Sequence, residues 1–136
     1  MIDRSEPPLL PPKLCDRILL VDDNLDVLDS LKEILEEGGS TVETAASAEE
    51  AERVLCSGFV PSVFILDLRL GAGESGEAFA SRLRADPRYS ATPIVLASGD
   101  SDALDQVRIV DRKLAKPFAV ETLFRTISEV CSVAAP

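Results

Sequence analysis

The chain has 136 residues, 24 acidic and 14 basic side chains, a formal net charge of −10 and no histidine. This is one domain's worth of sequence with room for a hydrophobic core, and no apolar run is long enough to span a bilayer. The acidic balance argues against direct nucleic-acid binding, and without an imidazole no histidine triad or histidine general base can be encoded.

Residues 1–15 read as a tail. Pro7, Pro8, Pro11 and Pro12 remove backbone donors and favour an extended course. Asp3, Arg4 and Glu6 are followed by no apolar stretch of the kind a secretory signal needs, so the expected location is the cytoplasm. The folded part is expected over residues 16–134. Cys15, Cys56 and Cys131 are widely spaced, which excludes the usual zinc spacings and reads as three reduced packing residues.

The first strand is Ile18 to Val21, followed by Asp22 and Asp23. Leu25, Leu28, Leu31 and Leu35 then recur at helical spacing, and Gly38-Gly39 supplies a stop. Thr41 to Thr44 forms a short edge strand. Ser47 with Glu50 makes a capping box for a second helix, whose apolar face of Ala51, Val54 and Leu55 runs toward Gly58. Val63 to Leu66 is apolar throughout, as a strand covered on both faces must be, and ends at Asp67. A glycine-rich loop leads to a helix carrying Phe79 and Leu83, which stops at Ala85 before Asp86-Pro87. The fourth strand begins at Pro93 and ends at Ser98. Gly99 to Val110 is expected to hold a short fourth helix. A fifth strand precedes Lys116-Pro117, and Val120, Leu123, Phe124, Ile127, Val130, Cys131 and Ala134 form the apolar stripe of a final helix.

Alternating strands and helices predict an α/β fold with a parallel sheet. In such a sheet the carboxyl ends of the strands line one crevice. Asp22, Asp23, Asp67, Ser98 and Lys116 would therefore share a pocket. Three close carboxylates repel one another, and a hard divalent cation relieves them, Mg²⁺ being suited to few carboxylates plus waters and a phosphate. The pocket reads as a phosphate-accepting acidic site.

With the acidic pair, a strand-end aspartate 44 residues beyond Asp23, the strand-end Ser98 and Lys116-Pro117-Phe118 in this order, the sequence resembles the receiver domain of two-component response regulators. The resemblance implies a doubly wound, flavodoxin-like (βα)5 fold with five parallel strands in the order 2-1-3-4-5. It implies that Asp67 takes a phosphoryl group from a phosphohistidine on a histidine kinase or histidine phosphotransfer protein. Asp23, Asp67 and the backbone carbonyl of Arg69 would bind Mg²⁺ directly, with Asp22 acting through water. Lys116, in a cis peptide with Pro117, and Ser98 would contact the phosphoryl oxygens. The chain would then be no enzyme toward other substrates, catalysing only its own phosphoryl transfer and dephosphorylation, and would switch protein–protein contacts without touching nucleic acid or membrane.

Several positions depart from the family pattern. Lys113 stands where an aromatic switch residue is usual, and is expected to stay at the surface in a partner-binding face. Ser98 and Lys116 are only 18 apart, which shortens the fourth helix. Gly71 replaces a customary proline, and Gly76 comes one residue late. Arg69 and Asp100 could pair across the mouth of the site. A haloacid-dehalogenase-like phosphatase would need a second aspartate two residues after Asp67, where Arg69 sits, and Asp22 and Asp23 would repel a flavin phosphate. The expectation is a single-domain regulator. The alternatives are an excised receiver of a hybrid kinase or larger regulator, or a receiver-like interaction domain that works without phosphorylation.

Overall fold

The computed structural model describes residues 16–134, with side chains as far as Cys131; the proline-rich tail lies outside the described residues. Ten elements alternate in sequence: β1 (Arg17–Val21), α1 (Leu25–Glu37), β2 (Thr41–Ala45), α2 (Ala48–Cys56), β3 (Val63–Asp67), α3 (Gly76–Ala85), β4 (Ile94–Ser98), α4 (Ser101–Gln106), β5 (Arg112–Ala115) and α5 (Val120–Ala134). The strands form one sheet in the order β2-β1-β3-β4-β5, and every adjacent pair is parallel. This is the expected doubly wound topology.

Period-two alternation along buried strands divides the core in two. Leu19, Val21, Phe64, Leu66, Ile94 and Leu96 point to one face, where Ala51 of α2, Phe79 and Leu83 of α3 and Leu104 of α4 cover them. Ile18, Leu20, Ile65, Val95, Ala97 and Leu114 point to the other, under Leu28 and Leu35 of α1 and Leu123, Ile127 and Val130 of α5. Both faces of β1, β3 and β4 are dry, so these strands read as unbroken apolar runs. Val120, at the start of α5, is 40% exposed and stands outside this packing.

The short fourth helix expected between Gly99 and Val110 is present and covers Ser101–Gln106. Val107 is extended (φ −83°, ψ 135°) and its side chain is 1% exposed, so the chain turns inward there. The next residues are held by the sheet and by α3. Asp111 N donates to Ile94 O at 2.9 Å while Asp111 Oδ2 accepts from Ile94 N at 2.8 Å and from Arg84 Nη2 at 2.5 Å. Arg84 also donates to Ile109 O at 2.9 Å and Thr92 O at 2.7 Å. These fixed anchors leave no slack for further helical turns.

Two expectations need correction. First, the capping box of α2 is displaced. Ser47 Oγ accepts from Glu50 N at 3.1 Å as expected, but Glu50 Oε1 reaches past Ser47 to accept from Ala46 N at 2.8 Å. Second, Cys131 is a buried packing residue as expected but is disulfide-bonded and not reduced, while Cys56 is free as expected but exposed and not packed. Spacing along the chain carries no information about which distant cysteines the fold brings together.

Candidate functional site

The site is assembled from the ends of β1, β3, β4 and β5. After β1, Asp22 N donates to Ala45 O at 3.1 Å, which continues the ladder toward β2 by one residue. Asp22 Oδ1 then accepts from Asn24 N at 2.9 Å, and Asn24 Oδ1 caps α1 by accepting from Asp26 N and Val27 N at 3.0 and 3.2 Å. The Asp-Asp-Asn run thus serves twice, turning the chain into α1 and fixing Asp22 in the floor of the pocket at 4% exposure. Asp23 beside it is exposed.

Asp67 is the last residue of β3, with its side chain 12% exposed. On the far side, Lys116 N donates to Ser98 O at 2.8 Å, extending the β4–β5 ladder past the end of β5, and the Lys116–Pro117 peptide is cis. This places the ammonium between two carboxylates: Lys116 Nζ donates to Asp22 Oδ2 at 2.8 Å and lies 3.4 Å from Asp67 Oδ1. Ser98 is 2% exposed and its Oγ accepts from Asp100 N at 3.0 Å, leaving the hydroxyl proton to be donated elsewhere.

Carboxylate oxygens of Asp22, Asp23 and Asp67 lie within 4.8 Å of one another. One ammonium among three carboxylates leaves the cluster strongly negative. Burial, reinforced by the charge of Asp22, raises the pKa of Asp67 above the usual aspartate value, and Lys116 opposes this only in part. Desolvation works against the charge of Lys116, but its hydrogen bond to Asp22 and the fields of Asp67 and Asp22 win and hold its pKa above the ordinary lysine value. A set of hard oxygen donors with unbalanced negative charge fits a small divalent cation.

Beside Asp67 opens a cleft of about 660 Å³, whose walls include Asp23, Arg69, Gly71, Gly73 and Ala103. Arg69 lies in this wall, in the loop after β3, and Arg69 Nη2 donates to Asp100 Oδ2 at 2.7 Å across the mouth. The bond from Ala103 N at the start of α4 and the one from Arg69 keep the Asp100 carboxyl below the usual range. Lys113 is exposed on β5, with Nζ 3.4 Å from Asp105 O.

The structure therefore brings Asp22, Asp67 and Lys116 into direct contact, sets Asp23 and Ser98 at neighbouring strand ends, and closes the Arg69–Asp100 pair. Sequence reasoning missed the part played by Gly76, the first residue of α3. A Cβ built there would lie 2.1 Å from Asp67 O, and Gly76 N donates to Leu68 O at 2.8 Å. The helix start is pressed directly against the backbone of the acidic strand end. A glycine at the first position of a helix, where side chains are normally welcome, was the available signal.

The response regulator receiver domain model matches residues 18–128. Among curated proteins, the chain is 30% identical over 113 residues to the C4-dicarboxylate transport transcriptional regulatory protein DctD of Rhizobium meliloti, covering 80% of the chain and 24% of the relative. It is 37% identical over 106 residues to the transcriptional regulatory protein YvrH of Bacillus subtilis, covering 74% and 43%. The chain spans less than half the length of these relatives. Among solved structures, the response regulator TrrA of Thermotoga maritima, in complex with Mg²⁺-BeF, superposes with a TM-score of 0.76 at 29% identity, covering 85% of this chain and 98% of that one. The chemotaxis response regulator CheY4 of Vibrio cholerae gives 0.73 at 28% identity, with 84% and 97% covered. With the family model spanning most of its length and the same sheet order in its structure, the chain belongs to the response regulator receiver domain family.

Proposed function

We propose that the chain is a phosphoacceptor switch in which Asp67 takes a phosphoryl group from a partner's phosphohistidine. The observation that carries this reading is the Lys116 ammonium set 2.8 Å from Asp22 and 3.4 Å from Asp67 at the mouth of a parallel sheet. An ionised Asp67 oxygen attacks phosphorus, forming a P–O bond as the P–N bond to the partner's imidazole breaks and its electron pair stays on the ring nitrogen. Lys116 is placed to follow the charge onto the new phosphoryl oxygens, and the Ser98 hydroxyl to donate to one of them. Asp22, Asp23, Asp67 and the Arg69 carbonyl would hold Mg²⁺, which when bound supplies neutralisation of charge on the transferring group. The Mg²⁺-BeF bound to TrrA supports such an ion here. Histidine is absent from this chain, so the donor is a histidine kinase or histidine phosphotransfer protein.

The protein turns over no separate substrate, acts in the cytoplasm and signals through protein contacts, with nucleic acid and membrane both left to others. Intact mass after incubation with acetyl phosphate tests the reading. One adduct of about 80 Da that requires Mg²⁺ and vanishes with chelator is expected. No adduct with acetyl phosphate or with phosphorylated kinases would recast the chain as an interaction domain independent of phosphorylation.

The Arg69–Asp100 pair stands where water must approach the phosphorylated Asp67, and it hinders that approach by position. Arg69→Ala is expected to shorten the phosphoryl lifetime about 2- to 5-fold, in keeping with the modest energy of an exposed ion pair. Dephosphorylation followed by mass, at the wild-type rate in the variant, would remove this role from the pair.

A further inference from the structure

Arg82, on α3, is the centre of an ionic cluster that reaches toward the pocket. Its Nε and Nη2 donate to the two oxygens of Glu74 at 2.7 and 2.6 Å, and its Nη1 donates to Glu52 on α2. The guanidinium also lies 5.3 Å over the ring of Phe79. Phe79 in turn meets Phe64 of β3 edge-on, with centroids 6.5 Å apart and planes at 89°. Arg82 is thereby braced on a second helix and, through one ring, on the central strand.

Glu74 belongs to the β3–α3 loop, residues 68–75, which forms a wall of the cleft and carries Arg69. The start of the loop is secured by Leu68 N donating to Ala97 O at 2.8 Å and by burial of Leu68 and Leu70. Beyond Leu70 it runs through Gly71 and Gly73, with Gly71 at φ 73° and the site of its missing Cβ 3.2 Å from Asp23 Oδ2. Such a stretch loses much backbone freedom on ordering, and side-chain anchors must compensate for that loss. Glu74, gripped by both prongs of a guanidinium, supplies one at the far end.

We propose that Arg82 is a positioning residue for the metal side of the pocket: by clamping Glu74 against α2 and α3, it holds the β3–α3 loop so that the Arg69 carbonyl and Asp23 stay arranged around Asp67. The proposal rests on the phosphoacceptor reading above and adds a residue to it. Arginine is required because its planar fork meets both carboxylate oxygens while a third nitrogen reaches Glu52, which a lysine ammonium cannot reproduce. The cluster is partly exposed, so it contributes little to global stability; its effect falls on the order of one loop.

Calorimetric Mg²⁺ titration, hydrogen exchange and thermal melting of the whole chain test this, for wild type, Arg82→Ala, Arg82→Lys and Arg88→Ala. Arg88 pairs with Asp86 away from the loop and serves as the control. Arg82→Ala is expected to weaken Mg²⁺ about 5-fold, somewhat less than the loss of a group bonded directly to a metal ligand. Exchange of amides 71–75 is expected to quicken, the melting temperature to stay within about 2 °C, and Arg82→Lys to show nearly the same weakening. Phosphorylation at saturating Mg²⁺ is expected to stay within about 2-fold of wild type, placing the defect in metal affinity and not in transfer. Wild-type Mg²⁺ affinity in Arg82→Ala overturns the positioning role alone. Wild-type protein that binds Mg²⁺ but takes up no phosphoryl group overturns the proposed function alone, and wild-type protein that binds no Mg²⁺ overturns both.

Discussion

Asp67→Asn is expected to abolish the Mg²⁺-dependent adduct and, at pH 7, to melt at a higher temperature than wild type. The two effects have one cause. Asp67 is buried beside Asp22, and its raised pKa means that the folded protein holds the Asp67 proton more tightly than the unfolded chain does. The stabilisation from that proton is therefore complete below the ordinary aspartate value of 3.8 and is lost as pH rises through the raised, folded value. At neutral pH the ionised carboxylate is a net burden on the fold. An amide of nearly the same shape removes the repulsion with Asp22 while keeping a hydrogen-bond acceptor near Lys116. The gain is read as a melting temperature above that of wild type at pH 7. Calorimetric melting of both proteins from pH 7 down to pH 3 checks this. The difference should shrink toward acid, and a variant that melts lower than wild type at pH 7 would contradict the electrostatic account.

Gly76→Ala is expected to produce the largest structural defect. The new methyl would sit 2.1 Å from the carbonyl oxygen of Asp67, 2.9 Å from its carbon and 3.0 Å from Leu68 Cα, all of them backbone atoms that no rotamer change can move. Relief requires α3 to lift from β3, where Phe79, Ala80 and Leu83 are packed. The cost should be about 3 kcal/mol, or roughly 10 °C in melting temperature. Because the strained atom belongs to Asp67, phosphorylation should slow by about 10-fold or more, as displacements of a reacting group do. Gly73→Ala is the matched control. Nothing lies within 4 Å of its added Cβ, and its stability should stay within about 0.5 kcal/mol of wild type. If Gly76→Ala melted with the control, the close approach would be wrong.

Much of this was legible in the sequence because the relevant physics is local or periodic. Val63 to Leu66 had to be a buried central strand, since no wet face interrupts it. Asp22, Asp23, Asp67, Ser98 and Lys116 each end a strand, and parallel strands collect such residues at one edge whatever the distance between them in the chain. The remainder depended on contacts through space. Glu50 accepts from Ala46 N, one residue before the donor that the motif names. The end of α4 was set by Arg84 and Asp111, which hold the following residues from outside the helix. Nothing local marks Arg82, because its partners Glu74 and Glu52 lie eight and thirty positions away and come within reach only in the fold.

The shortened β4–β5 crossover has a consequence for how this molecule tolerates change. Asp111 is tied to Ile94 at one end of β5, and Lys116 N to Ser98 O at the other. Both ends of the strand are thus registered on β4 independently of what joins them, and α4 takes up the difference by losing turns. A change in the length of α4 is therefore absorbed ahead of the buried Val107, and the acid pair, Asp67 and Lys116 keep their places whatever that length is.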